Sequence, residues 1–535
     1  MSGDYKPGML PYPEQNQCKL FWKFHYKGVL MILIPILFAP ILIGWHIAAY
    51  RLIYVGLCIY LYYILNVIPV GIIAFLLIIF LPLLGISDSN AVSMSYYADL
   101  LFTTYGSIFM GLMMDAAKLS DRLALIVISC CGTNIRVLQA FFMIMTCLSS
   151  VLFCSTFMCA FWMKIAQALL KEFADSGILK IDSDEETYER QAAPYPTKPV
   201  VGIYLTIAYS ATLGAMASPF QDPNSTINFY LMSSMTIRTA AFLLLFICPM
   251  IIGLAVVAIW INLIFLGAPK DDLSEMAAAK KTMKQAMTDK KLSMGKWSVH
   301  SILAVIFIFL TMILLLLRDP PYFDKFQGWD GFIDTQNLSS VPIILMCVLY
   351  IAVPANYMFC SYYCCRQPEK KGTAPSMVGW RLLNNNTPWA QMLMLAAANA
   401  LMFAYDDSKL MKLTHDWIAH QEFSKTESLF VGSLLASCLT NLSPAISVIR
   451  HTLLPITTTS NSMKIGTGGL VVPYATAIHN QFLLPVSTSS NTIVSGWGNV
   501  RPYQFLLGGI VPTIVMLLAI ELSTYMLGGT VFEGY

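Results

Sequence analysis

Ser487-Thr488-Ser489-Ser490-Asn491-Thr492 is a run of small polar residues set deep in apolar sequence, directly after Pro485-Val486. Hydroxyl and amide groups donate hydrogen bonds without a permanent charge, so they can hold a carboxylate or sulfate and still release it. A helix that stops inside a membrane adds unpaired N–H groups and a positive dipole end, both suited to an anion. Unwound carbonyls and hydroxyl oxygens suit a dehydrated sodium ion. A structural use competes, because the same groups also join neighbouring helices by hydrogen bonds.

Three more polar breaks interrupt apolar sequence. Ala140–Leu170 is broken by Ser149, Ser150, Cys154, Ser155 and Thr156, and Leu429–Ile456 by Thr440, Asn441, Ser443 and Pro444. Each stretch is long enough for two half-helices with a polar tip, and each reads as a re-entrant hairpin. A single helix carrying a few small polar residues is the other reading. Non-helical backbone at membrane depth survives only where protein or a cavity covers it. The third break is Ser218-Pro219-Phe220-Gln221-Asp222-Pro223-Asn224.

The composition requires a membrane. Of 535 residues, 57% are apolar and only 12% charged, and the mean hydropathy is +0.64. A soluble domain is nearer half apolar and a quarter charged. A net charge of +3 gives no case for nucleic acid as a partner. The polar segment Met1–Lys19 shows no cleaved signal peptide. The thirteen cysteines have neither metal spacing nor the pattern of a disulfide framework. Cys364 and Cys365, next to Arg366, are a weak palmitoylation motif, with buried thiols as the alternative.

A hydrocarbon core of about 30 Å needs about 20 apolar residues per helix. Eleven spans are expected: Gly28–Tyr50, Leu52–Leu65, Pro69–Ile86, Leu100–Ala117, Val200–Met216, Ala240–Gly267, Ser301–Leu317, Val341–Cys360, Trp389–Tyr405, Val471–Val486 and Phe505–Leu527. With the two hairpins they make an all-α polytopic membrane protein. Residues 1–27 form an N-terminal segment and 28–267 a first half, with hairpin one at about 140–170. A basic linker at 268–298 follows. The second half is 299–535, with hairpin two at about 429–456 and an interrupted helix at about 471–494. The lysines of the linker and of the N-terminal approach place both in the cytoplasm by the positive-inside bias. The C-terminus then falls outside, as does Arg318–Ser340 with its Asn337-Leu338-Ser339 sequon. Lys171–Pro199 would be cytoplasmic despite its acids. Polar breaks in corresponding places of two halves point to a midplane site in an inverted-repeat transporter.

Several motifs resemble one family, the divalent-anion/sodium symporters, which include the INDY group and the citrate, dicarboxylate and sulfate carriers. Leu81-Pro82-Leu83-Leu84-Gly85-Ile86 with Asp88-Ser89 is similar to the end of its third helix. Leu119–Leu125 resembles its amphipathic segment, and Arg318-Asp319-Pro320 with Gly328-Trp329 an exterior loop. Thr387-Pro388-Trp389 is similar to the start of its ninth helix. Phe482-Leu483-Leu484-Pro485-Val486-Ser487, followed by Asn491-Thr492-Ile493-Val494, fits most of its C-terminal signature, with His479 where the family has Ser.

The resemblance implies an elevator-type carrier, a homodimer, a plasma-membrane location, and small anionic metabolites such as succinate, citrate or sulfate as cargo. It assigns substrate contacts to Ser155, Thr156, Ser443, Thr488, Asn491 and Thr492. Sodium contacts fall to Ser150, Cys154, Gly214, Thr440, Ser487 and Ser489. Sodium is the candidate coupling ion, and no organic cofactor is implied. The chain departs from the pattern at both hairpin tips, which read Cys154-Ser155-Thr156 and Ser443-Pro444-Ala445. Gly214-Ala215-Met216 and Ala396-Ala397-Ala398-Asn399 replace glycine-rich stretches. These departures weaken the case for sodium coupling.

Arg450 and His451 follow Ser443 by two helical turns, roughly 10–12 Å. Arg450, with His451 or His479, could supply fixed positive charge where the family uses sodium. Snorkelling or pairing with an acid is the other reading. Lys164 is expected to snorkel, Asp115, Lys118, Asp121 and Arg122 to form an interfacial cluster, and the linker lysines to be solvated. A carrier-like receptor that no longer transports is the second functional reading. An enzyme is disfavoured, because the sequence has no nucleophile elbow, zinc motif or phosphate loop.

Overall fold

A computed structural model describes residues 17–184, 193–218, 239–267, 285–318, 340–353, 376–421, 423–462 and 467–531, with 328, 329 and 332. The residues 219–224 of the third break, Cys364, Cys365 and the sequon lie outside the described residues. Among those described, the regular structure is helical.

The first half runs α1 (Gln17–Phe38), a 3-10 turn (Ala39–Gly44), α2 (Ala48–Ile64), α3 (Val70–Leu83), α4 (Ser89–Tyr96) and α5 (Asp99–Ala116). Then come α6 (Leu119–Cys131), α7 (Ile135–Leu152), α8 (Ser155–Asp175), α9 (Lys198–Ala217) and α10 (Thr239–Ile261), the last closing in a π turn. The second half holds α11 (Val299–Leu316), α12 (Ser340–Ile351), α13 (Trp380–Asn386), α14 (Trp389–Asp407) and α15 (Leu410–Ala419). It ends with α16 (Lys425–Leu442), α17 (Ala445–Ser462), α18 (Thr467–Ala477), α19 (Ser489–Gly498) and α20 (Pro502–Val531).

Six of the described helical segments are long and apolar enough to cross a bilayer, and Ala48–Ile64, Val70–Leu83 and Ser340–Ile351 are shorter apolar helices. Ile32, Ile36, Leu37 and Ile43 near the N-terminus face outward. Apolar exposure on this scale fits a lipid-facing surface and not a water-facing one. Gly28–Tyr50 is not one helix, because the chain leaves it after Gly44 and restarts at Ala48. Val471–Val486 is not one either: α18 stops at Ala477, and a 3-10 turn occupies Pro485–Ser487.

One order of elements occurs twice. Lys118 (φ 55°) ends α5 and Lys409 (φ 60°) ends α14, and this left-handed conformation cannot continue a helix. After Lys118 the chain bends by 80° into α6. A short helix with an apolar face follows each hinge, then a helix pair broken at a polar tip, then a helix that stops early. Asn134 and Ser424 cap the starts of the two pairs, Ser424 in a capping box with Glu427.

The first pair folds back on itself. Trp162 Nε1 donates to Ser149 Oγ at 3.0 Å, whereas thirteen residues of continuous helix would separate them by about 20 Å. In the second pair, Ser428 reaches Gly469 O, Asn441 reaches Asn480 O, and Thr452 meets Tyr474. So α16 runs parallel to α18 and α17 runs against it. Every residue of α9 from Val200 to Ala217 is buried, which makes α9 the central post of the first half.

Ions tie one end of the bundle together. Lys290 Nζ lies 2.6 Å from Glu172 Oε1, and Arg122 donates to the carbonyls of Met294 and Lys296. The end of α8, the linker and α6 therefore share one face. Lys290 is paired, where the sequence predicts a solvated lysine, and the acid of α8 serves to pair it. Lys164 is also paired and does not snorkel: it is buried, 2.8 Å from Asp115 Oδ2 and 3.9 Å from the centre of the Trp497 ring. Asp115 itself is exposed at the end of α5 and also accepts from Ser120, so the buried lysine reaches an acid at the edge of the bundle.

Candidate functional site

Residues 478–484 between α18 and the 3-10 turn are unwound, and their backbone must find partners inside the protein. Asn441 supplies two: its Oδ1 accepts from Leu483 N at 2.9 Å, and its Nδ2 donates to Asn480 O at 2.8 Å. Asn491 Nδ2 donates to the carbonyls of Gln481 and Leu484. Ser487 Oγ donates to Leu484 O at 2.7 Å, Thr492 Oγ1 to Pro485 O at 2.9 Å, and Gln481 Nε2 to Ser487 O at 3.1 Å. Much of the polar run therefore holds the break open. Thr488 caps α19, accepting from Asn491 N at 3.0 Å.

A cavity of about 80 Å³ lies where the broken elements meet. Cys154, Ser155 and Thr156 line it from the first tip, and Pro444, Ala445 and Ile446 from the second. Thr212 and Ala215 of α9, His479 and Gln481 of the unwound stretch, and Ser487–Ser490 complete most of the wall. Asp99 and Thr103 of α5 close it.

The electrostatics follow from the helix ends. α8, α17 and α19 all begin at this cavity, so three sets of unpaired N–H groups and three positive dipole ends converge. Each end is worth about half a unit charge, and together they match the charge of a small carboxylate. α5 begins there too, but Asp99 in its first turn offsets its dipole; Asp99 accepts from Ser340 and Thr103. No Lys or Arg is among the described residues lining the cavity.

The lining brings together Ser155, Thr156, Cys154, Thr488, Ser487, Ser489 and His479. It does not include the others. Asn491 and Thr492 spend their donors on the unwound backbone. Ser443 donates to Ala398 O at 2.9 Å and Thr440 to Ala436 O at 2.9 Å, both away from the cavity. Gly214 lies within intact α9, where an added Cβ would come 2.4 Å from Cys147 O. Its role is close helix packing, and α9 breaks only at Ser218. Ser150 is buried beside Gly214. Arg450 is exposed, and His451 sits 3.6 Å from Asp406 and against Phe403. Of the three charge substitutes, only His479, stacked edge-on against Phe246, reaches the cavity.

Oxygen ligands for sodium are present in part. Ser489 Oγ, Asn491 Oδ1 and Thr146 Oγ1 are buried without a hydrogen-bond partner among the described residues. The first two sit in the opening turn of α19 and the third on α7.

Sequence reasoning missed Asp99, Thr103, Thr212 and Gln481. Gln481 had a legible signal, since His479-Asn480-Gln481 is a polar triplet directly before the apolar signature. Asp99 begins a helix remote in sequence, and nothing local marks it.

A family model described as the sodium:sulfate symporter transmembrane region matches residues 19–531. The chain is 25% identical to Protein I'm not dead yet of Drosophila melanogaster, covering 96% of this chain and 90% of that one. It is 24% identical to the Na(+)/citrate cotransporter of Mus musculus, covering 94% and 95%. It is 23% identical to the sodium-dependent high-affinity dicarboxylate transporter 3 of Caenorhabditis elegans, covering 78% and 72%.

Proposed function

Since the chain belongs to the sodium:sulfate symporter family, whose members are anion transporters and not enzymes, we propose that it is a secondary carrier of di- or tricarboxylates such as succinate or citrate. The observation that carries this reading is the meeting of three helix N-termini and their hydroxyls at one cavity with no lysine or arginine among the described residues lining it. Fixed dipoles attract a doubly charged anion, and hydroxyl donors carry no permanent charge that would slow its release.

Ser155, Thr156, Thr488 and Ser490 are the direct substrate donors in this reading. Asn491 and Thr492 act one step back, by fixing the shape of the break. Sodium is the coupling ion, held at Ser489 Oγ and Asn491 Oδ1 on one side and near Thr146 and Ser150 on the other. Its charge would complement the second carboxylate. The relatives' names, a citrate cotransporter and a sodium-dependent dicarboxylate transporter, support both cargo and coupling.

Elevator movement, a homodimer and a plasma-membrane location rest on family likeness. The basic linker supports a cytoplasmic N-terminus and an exterior C-terminus.

The test is uptake of labelled succinate, citrate and sulfate into proteoliposomes under a sodium gradient or a choline substitute. Saturable, sodium-driven uptake of a dicarboxylate or citrate is expected. Saturable uptake indifferent to sodium would remove the coupling. Sulfate uptake alone would change the cargo, and binding without uptake would make the protein a receptor.

A further inference from the structure

A second pocket, of about 810 Å³, opens far from the anion cavity, between α6 and the linker helix at 285–294. Two features set its chemistry. Its walls are largely apolar, with Leu125 and Ile128 from α6 and Met287 and Met294 from the linker helix. Its polar contribution is basic, from Arg122 and Lys291, with Ser129 and Thr133 adding hydroxyls. No carboxylate is among the described residues lining it.

Its position is fixed by α6. That helix leaves the apolar α5 at a bend of 80°, so the two cannot both run along the bilayer normal. Ile126 on α6 is 52% exposed, and Trp297 at the pocket is 49% exposed. An apolar face beside an indole at this depth is the pattern of an interfacial helix. The Arg122 guanidinium lies 5.2 Å from the Trp297 ring centre and donates to the carbonyls of residues 294–296. Those acceptors are neutral, so they orient the guanidinium without cancelling its charge. Lys291 is exposed beside Lys290, whose own charge is taken by Glu172.

We propose that this pocket binds an anionic phospholipid of the leaflet that faces the linker. The phosphate and its acidic headgroup meet Arg122 and Lys291, and an acyl chain lies on Ile126 and Met287. Charge complementarity selects the headgroup, and the apolar wall selects a lipid over a free phosphate. The bound lipid joins α6 to the linker and so joins the two halves of the chain.

The test is native mass spectrometry of the full-length protein, released from micelles containing equal phosphatidylserine and phosphatidylcholine. Wild type is expected to retain phosphatidylserine preferentially. Lys291→Gln is expected to lower that retention about fivefold, the effect of one basic group at an anionic surface. Ser129→Trp, which fills the pocket without changing charge, is expected to abolish it. Lys412→Gln, on α15, controls for general charge and is expected to leave it unchanged. The proposal is overturned if both lipids are retained equally. It is also overturned if Ser129→Trp binds like wild type, or if Lys412→Gln loses as much as Lys291→Gln. Free inorganic phosphate protecting the protein from thermal unfolding as well as the lipid does would likewise overturn it.

Discussion

Asn491 Nδ2 lies 3.2 Å from the carbonyl oxygen of Gln481, ten residues earlier, and ties the first turn of α19 to the unwound chain before it. The same amide also reaches Leu484 O and Ser487 Oγ. One side chain thus holds the shape of the break. Asn491→Ala leaves buried carbonyls short of donors and is expected to cost about 1–3 kcal/mol. Thermal unfolding in detergent should move down, and uptake should fall more than tenfold. Asn491→Asp, which keeps the size but cannot donate, should do the same.

Ser489 supplies the contrast. Ser489 lines the cavity, and its buried hydroxyl makes no hydrogen bond among the described residues. Ser489→Ala should leave thermal stability near wild type while raising the half-saturating sodium concentration several-fold. Equal loss of stability in both variants would show that Ser489 is structural.

Gly214 packs against the first arm of hairpin one, and an alanine Cβ would stand 2.4 Å from Cys147 O and 2.7 Å from Ser150 Cβ. A backbone oxygen cannot move aside as a side chain can. Gly214→Ala is expected to cost about 1–3 kcal/mol through overpacking, read as a lower unfolding midpoint. Gly28→Ala, where nothing lies within 4 Å of an added Cβ, should leave the midpoint unchanged.

Arg450 is exposed on α17 and absent from the cavity wall. Arg450→Gln should therefore retain uptake within about twofold, a change of under ~0.5 kcal/mol. His479→Ala should lower it by more, since the imidazole lines the cavity. The reverse ranking would return the charge-substitute role to Arg450.

Glu172 raises the Lys290 pKa above its ordinary value of 10.5, chiefly through the hydrogen bond between them. A raised lysine pKa stabilises the fold wherever the ammonium is charged, and that contribution fades only as pH climbs past 10.5 towards the raised value. The pair is partly exposed and worth under about 1 kcal/mol. The stability advantage over Lys290→Met should be equal at pH 8 and pH 9.5 and should shrink above 10.5.

The breaks themselves are legible in the sequence, because Ser, Thr and Asn are costly in apolar surroundings unless they find hydrogen-bond partners, and Pro interrupts a helix. Cys154–Thr156 and Ser487–Ser490 do meet at one cavity. The division of labour within each break is not legible. Whether Asn491 faces a ligand or the backbone depends on where residues 481–485 turn, and spacing alone does not fix that path. Ser443 and Thr440 turn away from the cavity for a related reason: a helix offers hydroxyls a carbonyl four residues back, and a crossing helix such as α14 offers another. The pairing of Lys164 is hidden because its partner, Asp115, is far away in sequence and only packing unites them. The pairing of Lys290 with Glu172 is hidden in the same way.

Cys154 offers the most direct test of the central claim, since it lines the cavity at the first tip. Its alkylation by a small hydrophilic reagent can be followed by peptide mass spectrometry, with exposed Cys130 on α6 as the internal control. Succinate or citrate should slow labelling of Cys154 several-fold, half-maximally at the concentration that half-saturates uptake, while Cys130 labels at its usual rate. Uptake that saturates while Cys154 labels at an unchanged rate would place the anion elsewhere and contradict the account.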